Sequence, residues 1–160
     1  MEKKTALVTG ASGGIGKSIK ESLINEQIEV ISPSRSELDL SSSESINNFL
    51  TNLSTSIDIL VNNAGILKVG KHNELSSSDF QEILQVNVIA PFVLMSKLSD
   101  SMKENKFGRI VNITSSSVKA PIDILGLSNG ARSGLTGFVA GIARKTIINN
   151  VTINNILPGP

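Results

Sequence analysis

Short apolar runs alternate along this chain with segments in which apolar residues recur every three to four positions. That alternation is the signature of a parallel sheet covered by helices. Apolar runs at 5–9, 29–32, 57–61, 109–114 and 151–157 predict five strands. Between the first two, the spacing predicts a helix over 14–25. Pro33 stops the second strand, and a Ser-rich stretch at 41–45 caps a short helix carrying Ile46, Phe49, Leu50 and Leu53. Ser76 or Ser78 caps a long helix, with Asp79 or Gln81 three residues on to complete a capping box. Its buried stripe is Phe80, Ile83, Leu84, Val88, Phe92, Met95, Leu98 and Met102, and Pro91 predicts a kink near its middle. Ala131, Leu135, Phe138, Val139 and Ile142 mark a last helix. These stripes are core packing; they place the motifs and carry no chemistry.

No repeat or linker divides the 160 residues, so residues 1–160 read as one domain with room for a sizeable core. Apolar residues make up 39% and charged residues 18%, an ordinary globular balance that argues against disorder. Fifteen basic and fourteen acidic side chains leave a net charge of +1, so no overall field recruits nucleic acid or an anionic membrane. Cysteine is absent, which excludes disulfides, thiolate nucleophiles and thiolate metal sites. Few apolar residues precede Gly10, too few for a leader or a membrane span, and a cytoplasmic location is expected. The sequons at Asn52 and Asn112 are then fortuitous, the second lying within a predicted strand. His72, the single histidine, sits in a polar loop; with no cysteine beside it, neither a zinc site nor a Ser-His triad is expected. Asp58 and Asp123 read as isolated carboxylates.

Chemistry concentrates where the first strand becomes a helix, at Thr9-Gly10-Ala11-Ser12-Gly13-Gly14-Ile15-Gly16. Glycine there permits a tight turn and close approach to a ligand, and the helix N-terminus offers free N–H groups to a pyrophosphate. The spacing is neither the common G-x-G-x-x-G fingerprint nor a P-loop.

The motif T-G-x-x-x-G-x-G, met in full by Thr9, Gly10, Gly14 and Gly16, resembles the short-chain dehydrogenase/reductase family. Further markers of that family follow in order. Asn62-Asn-Ala-Gly65 closes the third strand, Asn87 lies in Gln85-Val-Asn-Val88, Gly108-Arg-Ile-Val-Asn-Ile-Thr-Ser115 ends on a serine, and Asn154-Asn-Ile-Leu-Pro-Gly159 follows the last strand. The resemblance spans nearly the whole chain. It implies a Rossmann-type doubly wound parallel α/β sheet and a nicotinamide dinucleotide held by Thr9, Gly10, Ser12, Gly14, Ile15, Gly16, Asp39, Leu40, Asn62, Ala64 and Gly65. Pro158 and Gly159 would approach the nicotinamide. Ser115 corresponds to the catalytic serine, and Asn87 to the family's structural and proton-relay asparagine. The second strand leads into Ser32-Pro-Ser-Arg35 with no acid until Glu37, so Arg35, helped by Ser34, favours NADP, with NAD possible.

Two departures accompany the resemblance. The family's Y-x-x-x-K box is replaced by Ser128-Asn-Gly-Ala-Arg132, and the chain has no tyrosine at all. Tyrosine has an unperturbed pKa of about 10; an aliphatic hydroxyl is a far weaker acid with a shorter reach. Arg132 keeps a positive charge for ribose hydroxyls but cannot shuttle protons. Water relayed by Asn87, Ser115 and Ser116 is the expected proton source. The box is similar to one in a minority of reductases of 3-oxoacyl-carrier-protein type. Secondly, the segment from Arg35 to Ser45 reads as missing a helix and strand, and the chain stops before the substrate loop and last strand that family members carry.

The expectation is therefore an NADP-preferring oxidoreductase acting on a small-molecule carbonyl or alcohol, with catalytic positions Ser115, Asn87, Ser128 and Arg132. It would be homo-oligomeric through its two long helices, without a metal, a nucleic acid or a membrane partner. The alternative is a catalytically silent dinucleotide-binding protein, or a partner subunit for an intact paralogue.

Overall fold

A computed structural model describes residues 3–159; Pro160, the end of the expected Pro-Gly-Pro turn, lies outside the described residues. The elements are β1 (Thr5–Val8), α1 (Gly14–Asn25), β2 (Glu29–Ile31), α2 (Ser43–Thr51), β3 (Ile59–Asn62), α3 (Ser77–Leu84), α4 (Ala90–Glu104), β4 (Gly108–Ile113), α5 (Gly126–Thr146) and β5 (Val151–Ile156). All five strands are parallel, in the order β2-β1-β3-β4-β5. From β2 the chain passes through turns into α2, and among the described residues no strand lies outside β2, as the shortened segment implies.

The two faces are covered unequally. Alternate strand residues Leu7, Leu60, Ile110 and Ile153 point into the larger core, closed by Ile46 of α2, Leu94, Met95 and Met102 of α4, and Leu135 and Val139 of α5. On the other face Ala6, Val8, Val61 and Ile113 meet Ala11 and the Ile19 and Leu23 side of α1. With β5 at the sheet edge, Ile156 stays half exposed.

Several local expectations change. The predicted strand ends shift by one or two residues, and Leu53 lies beyond α2. Ser76 is the cap of α3, and its reciprocal bonds with Asp79 form the capping box. The break near Pro91 is taken up just upstream, by a π-turn at Gln85–Ile89 joining α3 to α4. Pro91 has no N–H to donate one turn back, so a wider turn ahead of it loses least. Asp58 is not isolated: it accepts from Lys4 Nζ at 3.0 Å and from the Thr5 N–H at 2.9 Å, joining the starts of β1 and β3. The continuous Ser77–Glu104 helical run is long and apolar enough by composition to cross a membrane; here its apolar side is spent on the sheet.

Three register-matched asparagines cross the sheet near its C-terminal end. Asn62 Nδ2 donates to Asn112 Oδ1 at 2.8 Å, and Asn112 Nδ2 donates to Asn155 Oδ1 at 3.1 Å. Asn112 is fully buried, so its amide groups depend on these neighbours.

Candidate active site

The glycine turn and the end of β3 form one packed unit. Thr9 Oγ1 accepts from the Asn63 and Ala64 N–H groups, both at 3.1 Å, and Asn63 Nδ2 donates to the Thr9 and Gly10 carbonyls at 3.1 and 3.0 Å. Gly10 adopts φ +66°, and a Cβ there would come within 2.8 Å of Ala64 Cα. A Cβ on Gly16 would strike the Gly10 carbonyl oxygen and the Asn63 amide. These glycines therefore let α1 lie tightly on the sheet. The N-cap of α1 is Gly13, with no side chain to occupy the free N–H groups of the first turn. Those groups are left for an anion.

Beside this turn opens a cavity of about 320 Å³, the scale of a small-ligand pocket. Thr9, Gly10, Ser12, Ser34, Arg35, Asp39, Leu40, Ala64 and Gly65 line it, as expected from the sequence. Leu38, Ile66, Glu82 and Val86 also line it, and sequence reasoning missed them. Gly14, Ile15 and Gly16 sit outside the wall, on α1. Asn62 lies beneath it, in the asparagine ladder. The residues fit a dinucleotide: a glycine cradle with an uncapped helix end for phosphates, and an apolar slot between Leu38, Ile66 and Val86.

Arg35 is strongly exposed at the mouth, with Asp39 Oδ1 3.9 Å from its Nε. The Asp39 carboxylate accepts from Ser41 Oγ at 2.7 Å and the Ser41 N–H at 2.9 Å, bonds that hold its pKa below the ordinary value. Glu37 folds back onto Ser34, accepting from its N–H and its Oγ at 2.7 Å each, which lowers the Glu37 pKa. Ser34 is thus engaged by a carboxylate, while the Arg35 guanidinium keeps its donors largely free.

At the ends of β3 and β4 lie the expected reaction groups. Asn87, buried in the π-turn, donates to the Ile66 carbonyl at 2.7 Å and accepts from the Ile66 N–H at 2.9 Å. Both ends of its amide hold the loop after β3. Ser115 follows β4, its Oγ accepting from the Ser117 N–H at 3.1 Å, while the Ser116 N–H donates to the Pro158 carbonyl at 2.8 Å. Pro158 therefore reaches this end of the sheet; Gly159 is exposed beyond it. Ser128 is buried in the first turn of α5. One turn on, Arg132 Nη1 donates to the Ile113 carbonyl at 2.7 Å. The guanidinium lies against Gly65, where a Cβ would collide with it and would also come within 3.1 Å of Asn87 Oδ1. Burial lowers the Arg132 pKa, and no carboxylate pairs with it among the described residues.

A parallel sheet with a glycine-turn nucleotide pocket over its centre, and polar groups at the adjoining strand ends, defines a Rossmann-type oxidoreductase domain. The family model described as short chain dehydrogenase matches residues 36–160, and the chain belongs to that family of NAD(P)-dependent oxidoreductases. It is 33% identical over 183 aligned positions to nodulation protein G of a Rhizobium strain, covering 98% of this chain and 72% of that protein. It is 32% identical to the 3-oxoacyl-[acyl-carrier-protein] reductase FabG of Vibrio cholerae, covering 99% and 74%. Among solved structures, 4-hydroxyisoleucine dehydrogenase complexed with NADH superposes with a TM-score of 0.92 at 30% identity, covering 98% of this chain and 75% of that one. A Streptomyces avermitilis short-chain dehydrogenase gives 0.93 at 24% identity; the present chain covers 65% of its length, and this likeness bears on the fold alone.

Proposed function

We propose that this chain is an NADP-preferring oxidoreductase that moves a hydride between the nicotinamide and the carbonyl or secondary alcohol of a 3-oxoacyl-type substrate. The observation that carries the cofactor preference is Arg35, on the wall of the nucleotide pocket with its guanidinium largely free. A guanidinium there suits a 2′-phosphate, which a ribose hydroxyl does not replace. The reductases among its relatives support the substrate type. Gly10, Ser12 and the first turn of α1 hold the pyrophosphate, Asp39 and Leu40 border the adenine, and Arg132 faces the nicotinamide ribose. The dinucleotide supplies the hydride. Ser115 orients the substrate oxygen, Ser128 and Arg132 add a hydroxyl and a positive charge, and water delivers the proton. The protein works in the cytoplasm, as an oligomer joined through α4 and α5, whose exposed Phe92 and Phe138 stack edge to face at 5.3 Å.

Nucleotide fluorescence tests this reading directly. NADPH should bind more tightly than NADH, and Arg35→Ala should weaken NADPH by about tenfold, the loss of one charge-assisted phosphate contact, while leaving NADH unchanged. Equal binding of both nucleotides to the unmodified chain removes the preference.

A second reading, a catalytically silent nucleotide-binding subunit, is favoured by Ser128 and Arg132 standing where the family has tyrosine and lysine. The pair Ser128→Tyr and Arg132→Lys separates the two. A gain in turnover of about 10²-fold or more, the usual worth of a general acid, supports the silent reading; a loss supports serine and arginine as working groups.

A further inference from the structure

Arg132 brings a full charge to the reacting end of the site and shares it with no partner of opposite sign among the described residues. A guanidinium stays protonated in any protein environment. Its Nη1 donates to the Ile113 carbonyl at 2.7 Å, the one hydrogen bond this side chain makes among the described residues, so most of its N–H donors have no protein acceptor there. The surroundings are neutral. Its Nη2 lies against Gly65, the nearby Asn87 Oδ1 already accepts from the Ile66 N–H, and Ser128 stands one turn back on α5. The carboxylates of α3 and of the nucleotide pocket are engaged elsewhere: Asp79 and Glu82 hold Lys68 at 2.6 and 2.8 Å, and Asp39 accepts from Ser41.

Keeping such a charge half-buried costs free energy unless a counter-charge lies beside it, and burial here disfavours the charged form. An anion brought by a ligand offsets that cost. The position of the guanidinium says which ligand. Arg132 is not among the residues lining the nucleotide pocket, although Gly65, against which it lies, is. The carbonyl held by Nη1 stands two residues before Ser115, whose Oγ accepts from the Ser117 N–H and keeps its own O–H to donate. A donor for a carbonyl oxygen and a cation for an anion therefore attend the same strand end.

We infer that Arg132 seats a carboxylate of the substrate, so that the carbonyl compound is a short oxo acid taken as the free acid, its carboxylate one or two carbons from the reacting carbonyl. This rests on the oxidoreductase reading for the carbonyl, and narrows the substrate from 3-oxoacyl compounds at large to the acids. A guanidinium donates to both oxygens of a carboxylate in one plane. An ester or thioester brings no charge and leaves the cost of burial unmet.

Isothermal titration of the 160-residue chain, with and without NADP, tests this using 3-oxobutanoate and its methyl ester. The oxidised nucleotide carries no hydride to give, so neither ketone turns over. The acid should bind about tenfold or more tightly than the ester, the worth of one charge-assisted contact. Arg132→Gln should abolish that preference, and Arg132→Lys, which keeps the charge and loses the planar fork, should retain part of it. Titration of 2′,5′-ADP, which lacks the nicotinamide ribose, into each variant checks that the chain is folded. Equal affinity for acid and ester in the unmodified chain overturns the inference, whatever the variants do. So does an undiminished preference in either variant that binds 2′,5′-ADP, which would assign the acid to another cation. Displacement of 2′,5′-ADP by the acid also overturns it, because the anion would then occupy the phosphate cradle of the pocket. Failure of NADP to bind, with the acid preferred by the nucleotide-free chain, would overturn the oxidoreductase reading and leave the carboxylate seat standing. NADP binding with no preference would do the reverse.

Discussion

Gly65 and Arg132 were separate motifs in the sequence and are one contact in the fold. Because the guanidinium occupies the space beside the Gly65 Cα, Gly65→Ala forces either the arginine or the Asn87 amide to move. Such overpacking typically costs about 1–3 kcal/mol. Urea unfolding should show that loss, and Gly65→Ala in an Arg132→Ser background should cost clearly less, because the obstacle is gone. Equal costs in the two backgrounds would mean that the contact carries no energy. The contrast with Asn87 is instructive. Its position in the motif was readable, but its commitment to both backbone groups of Ile66 was not, because that depends on where a loop twenty-one residues away in sequence comes to rest. Asp58 was missed for the same reason: nothing near it in sequence reveals Lys4.

At the scale of elements, the periodicities located the five strands and the α-helices, with α3 and α4 read as one, but none of the short helical turns. What they lacked was the physics of the joints. Pro91 announced a disturbance in the long helix, but whether a proline bends a helix or follows a widened turn depends on how α3 and α4 share the sheet. The Ser76–Asp79 capping box was legible, since it is local; the pull of Lys68 on Asp79 was not. Lys68 first, then the two bonds from Ser76, hold the Asp79 pKa well below its ordinary value. A carboxylate depressed by folding contributes stability that is complete above its unfolded pKa of about 4 and is lost as pH falls toward the folded value. Urea midpoints measured between pH 5 and pH 3 should therefore fall more steeply for the unmodified chain than for Asp79→Asn. Parallel pH profiles would remove Asp79 from the acid limb. The asparagine ladder shows a different limit: each asparagine was visible, but only the register of β3, β4 and β5 makes them neighbours.

Across the whole molecule, the sheet carries α2, α4 and α5 in one layer on one face and, among the described residues, α1 on the other, while a further apolar patch surrounds Phe92 and Phe138 on the outer side of α4 and α5. If that patch joins copies, Phe92→Glu with Phe138→Glu should reduce the sedimentation mass to that of a single chain, without loss of NADPH binding. An unchanged mass would move the contact elsewhere. The nucleotide pocket has its own lesson at this scale. Every residue lining it lies between Thr9 and Val86, whereas Ser115, Ser128 and Arg132 come later in the chain. On the proposed function, the end of the nucleotide held by this pocket and the reacting end are then specified by consecutive stretches of one sequence. Substitutions in the later stretch would retune or silence the chemistry, and loosen the hold of Arg132, while the earlier stretch goes on selecting the 2′-phosphate end of the same nucleotide.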